Sequence, residues 1–359
     1  MLAFTLSRLL LGVTALTGLS HAAPTADIHA RNVSPGSGQI VVDGGGVYMR
    51  ATRLNDGSIL GGYAAQDGPN HVLKAVRSTD GGASWAQIGT VASAPSATSD
   101  IDNAFPLQLP NGRVLFAFRN HDRTASGSYT YFRITLCYSD DGGHNWSFLS
   151  QIDERPQNGV NGLWEPFLRV SGNGVLQAFY SSENSSNDQD NLMKISSDNG
   201  QSWSVSWTVS GQGVTSRDGM TGVSNIDNNG NVICVFENTE IGHFSIDYVL
   251  SHDDGFNWGS RTRLYTAANG RDAGAPDVIN VGGQLVASFM TNENSNTPSL
   301  DGGQMKVVVS NNGGSSWSGP TVTGDVGSHW GGLYSIDSSQ FLALYSFDRA
   351  GLVSQKYHL

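Results

Sequence analysis

Charged residues are scarce in this chain. Asp, Glu, Lys and Arg fill 14% of its 359 positions, about half of the roughly one quarter usual in globular proteins. The few present lean acidic, 31 against 20, for a formal net charge of −11. No basic run follows the N-terminal segment, so a phosphate-tracking surface is missing and nucleic acid is not expected as a partner. Cysteine is nearly absent: only Cys137 and Cys234 occur, too few for a disulfide scaffold. They fall in separate repeat units, so two buried free thiols are expected. Beyond the N-terminal segment no apolar stretch approaches the ~20 residues of a membrane-spanning helix, so no membrane association is expected. The nine His residues are scattered, with no His-x-x-x-His spacing, so neither a catalytic metal nor a cofactor is expected.

Glycine, by contrast, is abundant at 45 residues, nearly twice its usual share, which describes short strands joined by tight turns. The N-terminus carries Arg8, an apolar stretch over residues 9–19 and then Ser20-His21-Ala22, the pattern of a secretory signal with a small-x-small cleavage site. The expected division is therefore a signal peptide at 1–23 and a single exported domain at 24–359, read as a monomer.

The pattern Ser-x-(Asp/Asn)-x-Gly-x-x-Trp occurs five times, starting at Ser78, Ser139, Ser196, Ser251 and Ser310, with spacings of 61, 57, 55 and 59 residues. Asp80, Asp141, Asp198, Asp253 and Asn312 can accept turn N–H groups, and the glycine two positions later can take positive φ. These residues account for folding rather than chemistry, and they match the Asp-box motif of sialidase-like proteins. A second repeat, two apolar strands around a Gly-containing or Ser-Ser turn, occupies 48–63, 103–118, 165–179, 221–236, 277–289 and 333–347. Six such hairpins imply an all-β fold, a six-bladed β-propeller with four antiparallel strands per blade. The last blade runs out of chain after its third strand, so a segment near 39–42 is expected to supply the fourth and close the ring.

Counting from the turns places the rim. Glu165 lies nine residues before Gly174, and the same offset in other blades selects Tyr48, Asn103 and Thr221. Glu237 lies seven residues after Gly230, which brings it back to the same end of the channel on the neighbouring blade. Arg119, Tyr180, Met290 and Ser346 follow the equivalent strand 2 aromatics. The segments entering strand 1 contribute Asp102, Trp164, Arg217, Asp218, Arg271, Asp272, Trp330 and Tyr334. Two carboxylates on one rim suit glycoside hydrolysis, in which one protonates the leaving oxygen and the other attacks the anomeric carbon or activates water. Trp164, Trp330 and Tyr334 offer aromatic planes for sugar faces. The competing reading is that Glu165 and Glu237 only form ion pairs with Arg119, Arg217 or Arg271. Trp207, in a strand after a repeated turn, reads as structural.

With Leu163-Trp164-Glu165-Pro166-Phe167, Val235-Phe236-Glu237-Asn238 and the repeated turns in view, the chain resembles fungal exo-α-1,5-L-arabinanases of glycoside hydrolase family 93. The resemblance covers essentially the whole mature chain. It implies a secreted six-bladed propeller that releases arabinobiose from the non-reducing end of linear arabinan with retention. It further implies Glu165 as nucleophile, Glu237 as general acid/base and Tyr334 as a tyrosine near the nucleophile. Tyr48, Asp102, Asn103, Trp164, Arg119, Tyr180, Asp218, Asp272 and Trp330 are the expected substrate contacts from the rim count. Two rivals share the architecture. A sialidase would use an arginine triad and a tyrosine nucleophile, but Arg50 stands one place late for its first arginine and no Ile-Pro follows. A non-catalytic carbohydrate-binding propeller would use the same mouth without needing two carboxylates.

Overall fold

The computed structural model describes residues 32–359; the signal read at 1–23 and the start of the domain at 24 lie outside the described residues. Six antiparallel sheets follow one another along the chain. Their inner strands are Val47–Arg53, Ser99–Gln108, Leu163–Val170, Gly219–Asn225, Ala273–Val281 and Ser328–Ser335, which number blades 1 to 6. The first five blades have four strands each, paired in sequence order from the channel outward. In the sixth, Gly351–His358 is covered by both Ile40–Asp43 and Ser34–Pro35, through pairs such as Val41 with Val353 and Ser34 with His358. The expected N-terminal closing strand is therefore present, one residue further on than 39–42.

Burial follows distance from the axis and explains the residue pattern. Second strands are covered on both faces and are apolar almost throughout, as in Val232–Asn238, where Val232 to Phe236 are all buried. Fourth strands such as Ala86–Pro95 are largely exposed and carry polar residues between their few apolar ones. Six apolar clusters form, one between each pair of neighbouring blades. The motif tryptophans Trp85, Trp146, Trp203, Trp258 and Trp317 each pack on one of five clusters. They thus seal interfaces between blades. The interface of blades 5 and 6 has no motif Trp and fills with Phe341, Tyr345, Phe347, Tyr357 and Met305. Trp207 packs between blades 3 and 4 and donates to Phe256 O at 3.2 Å, a structural placement. Cys137 and Cys234 are free and buried.

The repeated turns share one hydrogen-bond pattern. In blade 3, Ser196 Oγ donates to Asp198 Oδ1 at 2.7 Å and accepts from Gly200 N at 2.8 Å, while Asp198 Oδ1 also accepts from Gln201 N and Ser202 N. Gly200 has φ 90°, the left-handed region that favours glycine. Hydrogen bonds, first from Ser202, lower the Asp198 pKa to about 2. Because the folded pKa lies below the unfolded one, this stabilisation is complete above about pH 4 and is lost as pH falls toward the folded value. Asp198→Ala is therefore expected to cost about 1 kcal/mol at neutral pH, modest because solvent reaches the turn. Calorimetry should show the melting-temperature gap between variant and wild type narrowing toward pH 2.

Candidate active site

Every inner strand carries a β-bulge at the same level. Pairing jumps between Val47 and Arg50, Asp102 and Phe105, Trp164 and Phe167, Gly219 and Gly222, Gly274 and Asp277, and His329 and Gly332. The first bulged residue always has positive φ: Tyr48 57°, Asn103 56°, Glu165 44°, Met220 52°, Ala275 49° and Trp330 57°. None is glycine, so each holds a conformation that costs on the order of 1 kcal/mol or more and re-aims its side chain. These six residues form one layer of the channel wall near its mouth. Glu165 is the carboxylate of that layer.

A bulged residue is left out of its own ladder, so its N–H needs an acceptor from elsewhere. Three of the six find it on the preceding blade, at the residue just past the point where strand 2 faces the bulge. Ser181 Oγ accepts from Met220 N at 3.1 Å, Glu237 Oε2 from Ala275 N at 2.7 Å and Met290 Sδ from Trp330 N at 3.4 Å. Glu237 therefore stands at a position the fold already uses for a side-chain acceptor. Its Oε2 is tied down while Oε1 is left for a proton. Gly274 makes room for this carboxylate, because a Cβ there would lie 2.6 Å from Glu237 Oε2.

Both glutamates are half-buried, and among the described residues neither has an arginine, lysine or histidine within ion-pair distance. The structure thus disposes of the simple ion-pair reading. Burial raises the Glu165 pKa to about 6 against the opposing effects of a Ser181 hydrogen bond and the charges of Arg119 and Arg217, with Glu183 adding to the rise. Burial likewise raises Glu237 to about 7; the Ala275 N–H and Arg217 oppose it, and the charges of Glu165 and Asp272 reinforce it. Both carboxyls thus bind a proton more tightly than a solvated glutamate does, and Glu237 the more tightly of the two.

The remaining expected residues divide. Tyr48 and Asn103 share the bulge layer with Glu165; the Tyr48 ring lies over the Arg50 guanidinium at 4.1 Å and senses the Glu165 charge. Asn103 is 5% exposed and its Oδ1 has no hydrogen-bond partner among the described residues. Trp330 lies in the same layer on blade 6, half-buried. Asp272 accepts from Phe244 N at 2.9 Å and lies close enough to Glu237 to raise its pKa. Asp102 pairs across its blade with Arg119, whose guanidinium bridges Asp100 at 3.2 Å and Asp102 at 3.4 Å. Trp164 packs edge-on against His121, Tyr129 and Phe132 with Arg119 over its ring, so it braces the rim wall.

Four placements need correction. Tyr180 is fully buried and donates its hydroxyl to Asp153 at 2.6 Å. The residue in register with Glu237 is Ser181, opposite Trp164, because Tyr180 rather than Phe179 faces the bulge. Asp218 is fully buried against Arg261 at 2.6 Å and does not reach the mouth. Tyr334, four residues beyond the blade 6 bulge, lines a cavity of about 580 Å³ at the opposite end of the channel. Neither Glu165 nor Glu237 lines this cavity. Finally, Met220 rather than Thr221 takes the bulge position in blade 4, because the turn closed by Ile226 and Asn231 is one residue longer than that closed by Leu54 and Ser58. Ser181 and the bulge N–H groups escaped the sequence count, since no residue type marks them.

Comparison with known proteins gives the fold its company. No protein-family model and no curated protein matches the sequence. Among solved structures, the α-L-arabinanase of Penicillium chrysogenum complexed with arabinobiose superposes with a TM-score of 0.70 at 18% identity, over 91% of this chain and 98% of the other. The GH93 α-L-arabinofuranosidase of Fusarium graminearum with arabinobiose gives 0.69 at 20% identity, over 89% and 94%. A sialidase of Streptococcus pneumoniae gives 0.61 at 12% identity, over 90% of this chain and 69% of that one. This chain shares their propeller fold.

The charge on Glu165 is one of the causes that raise Glu237. Glu165→Gln should therefore lower the Glu237 pKa below about 7, followed by side-chain carboxyl NMR in the free protein. An unchanged titration would show the two groups to be electrostatically independent. Glu237→Gln keeps an acceptor for Ala275 N–H and should fold as the wild type does, whereas Glu237→Ala orphans that donor and should cost roughly 1–3 kcal/mol in denaturant unfolding.

Proposed function

We propose that this chain is an exported glycoside hydrolase that removes arabinobiose from the non-reducing end of linear α-1,5-L-arabinan with retention of configuration. The observation that carries the reading is the pair Glu165 and Glu237, on neighbouring blades of one rim, half-buried, free of ion pairs and raised to about 6 and about 7. Two carboxyls with separated affinities for a proton are what a retaining mechanism needs. Glu165, the stronger acid, attacks the anomeric carbon as the carboxylate. Glu237 gives the proton on Oε1 to the glycosidic oxygen, so that the remaining arabinan leaves as an alcohol. Water then attacks the glycosyl-enzyme carbon and returns a proton to Glu237, releasing the sugar and restoring Glu165. Tyr48, Asn103 and Trp330, which share the bulge layer with Glu165, together with Asp102 and Asp272, are the residues proposed to meet furanose hydroxyls and ring faces.

Arabinan is favoured over a sialoside by the state of the arginines. Arg119 is ion-paired with Asp100 and Asp102, and Arg217 with Glu183. Arg50 is stacked on Tyr48 with Nη1 on Met49 O. A substrate carboxylate would find no free cluster of guanidinium groups among them. The P. chrysogenum and F. graminearum structures hold arabinobiose in the same fold, which supports the choice of sugar.

The test is incubation with debranched arabinan and, separately, with a fluorogenic sialoside, with Glu165→Gln as control. Arabinobiose is expected from the wild type alone, its first-formed anomer by proton NMR matching the substrate. Sialic acid release or inversion would overturn the corresponding part of the reading. The kcat/KM profile should be a bell whose acid limb follows ionisation of Glu165 near 6 and whose alkaline limb follows loss of the Glu237 proton near 7. Glu237→Gln should slow substrates with poor leaving groups far more than activated aryl arabinosides, and should abolish the alkaline limb. Equal losses on both substrates would remove Glu237 from the acid role.

A further inference from the structure

The two glutamates sit on different blades, and one ion pair at the mouth links the backbone beside one of them to the backbone beside the other. Arg217 Nη2 donates to Glu183 Oε1 at 2.8 Å and to Gln189 Oε1 at 3.0 Å, and its Nη1 reaches Ser186 O at 3.2 Å. The other carboxylate oxygen of Glu183 accepts from Gly162 N at 2.9 Å, three residues before Glu165. The Arg217 backbone N–H donates to Thr239 Oγ1 at 3.0 Å, two residues after Glu237. The path from one glutamate strand to the other therefore runs Gly162, Glu183, Arg217, Thr239, every link a hydrogen bond or the covalent chain. Side-chain exposure is 12% for Glu183 and 27% for Arg217, so solvent only partly screens the pair.

We propose that Arg217 and Glu183 form a positioning clamp that sets the spacing of the Glu165 and Glu237 carboxyl groups and holds a fixed positive charge beside both. This rests on the glycosidase reading. Retention requires a separation of roughly 5 to 5.5 Å, and a gap widened to about 6.5 Å or more suits inversion instead. A planar guanidinium with several donors fixes geometry as well as charge, and a lysine ammonium supplies only the charge. The charged groups facing Glu165 are Arg119, Arg217 and Glu183; those facing Glu237 are Glu165, Arg217 and Asp272.

Arg217→Met, Arg217→Lys and Glu183→Gln in the full chain separate the two roles. With debranched arabinan, Arg217→Met is expected to lose kcat on the order of 100-fold with KM little changed, as a small misplacement of reacting groups does. Both limbs of its pH profile should move to higher pH, because a cation that favoured both carboxylates is gone. Arg217→Lys should return the limbs to their wild-type positions while recovering only part of kcat. Glu183→Gln should move the acid limb to lower pH. Wild-type kcat and limbs in Arg217→Met would overturn the proposal, and so would a kcat loss with both limbs unmoved, which marks a merely structural contact. If Arg217→Met does not fold, an unmoved acid limb in Glu183→Gln overturns it. Should the wild type leave arabinan intact, the glycosidase reading falls by itself. Carboxyl NMR of free Glu237 then decides the clamp: a higher titration point in Arg217→Met or Arg217→Gln supports it, and an unchanged one overturns it.

Discussion

The site depends on a backbone event, the left-handed bulge repeated in all six inner strands. It costs conformational energy at six non-glycine residues and takes a donor out of the ladder in each. In return it turns one side chain per blade out of the regular alternation at a single level of the channel wall. Glu165 owes its place to this. Glu237 owes its orientation to the complementary need, since the orphan N–H of Ala275 requires an acceptor from the blade before it. Serine, methionine and glutamate all serve as that acceptor in different blades. The candidate acid is thus a variation on a structural position, with chemistry added to a contact the fold already makes.

A recess holding partly desolvated carboxylates is destabilising, and the cost is met elsewhere. Apolar clusters between blades, most of them closed by a motif tryptophan, account for the bulk of the buried side chains. Because each cluster joins two blades, blade spacing is held by packing in the body of the ring and by polar contacts at its mouth. This division lets the mouth vary. Asp102, Arg119 and Trp164 form a braced wall on one side, whereas the buried Oδ1 of Asn103 has no partner among the described residues.

Blade number and the layout of the hairpins were legible because turns have strong residue preferences: glycine at positive φ and Asp or Asn accepting backbone N–H groups. The sixth blade, without a motif turn, was recoverable from its hairpin alone. Offsets from those turns then reached Tyr48, Asn103, Glu165 and Glu237, since strand length is nearly constant between turn and bulge. The count failed wherever one residue was gained or lost. The longer turn before Asn231 shifted Thr221 into the place of Met220, and the Phe179-Tyr180 doublet hid Ser181. Asp218 and Tyr334 failed for another reason, because proximity along a strand does not say which face or which end a side chain occupies. The bulges themselves have no compositional mark, and the link from Glu183 to Arg217 joins residues 34 apart, which only the ring brings together.

The strand at Ile40–Asp43 sits beside the final strand of the chain. Closure of the ring therefore awaits both ends of the domain, and the loop it closes spans almost the whole polypeptide. Blades 1 to 5 can assemble from local hairpins as they emerge, but the channel mouth has no fixed perimeter until the last residues arrive. Glu165 and Glu237, on blades 3 and 4, belong to a mouth whose perimeter is completed last. A chain shortened at its C-terminal strand would keep most of its hairpins while losing the registration of its mouth, so the geometry of the mouth depends on an intact ring.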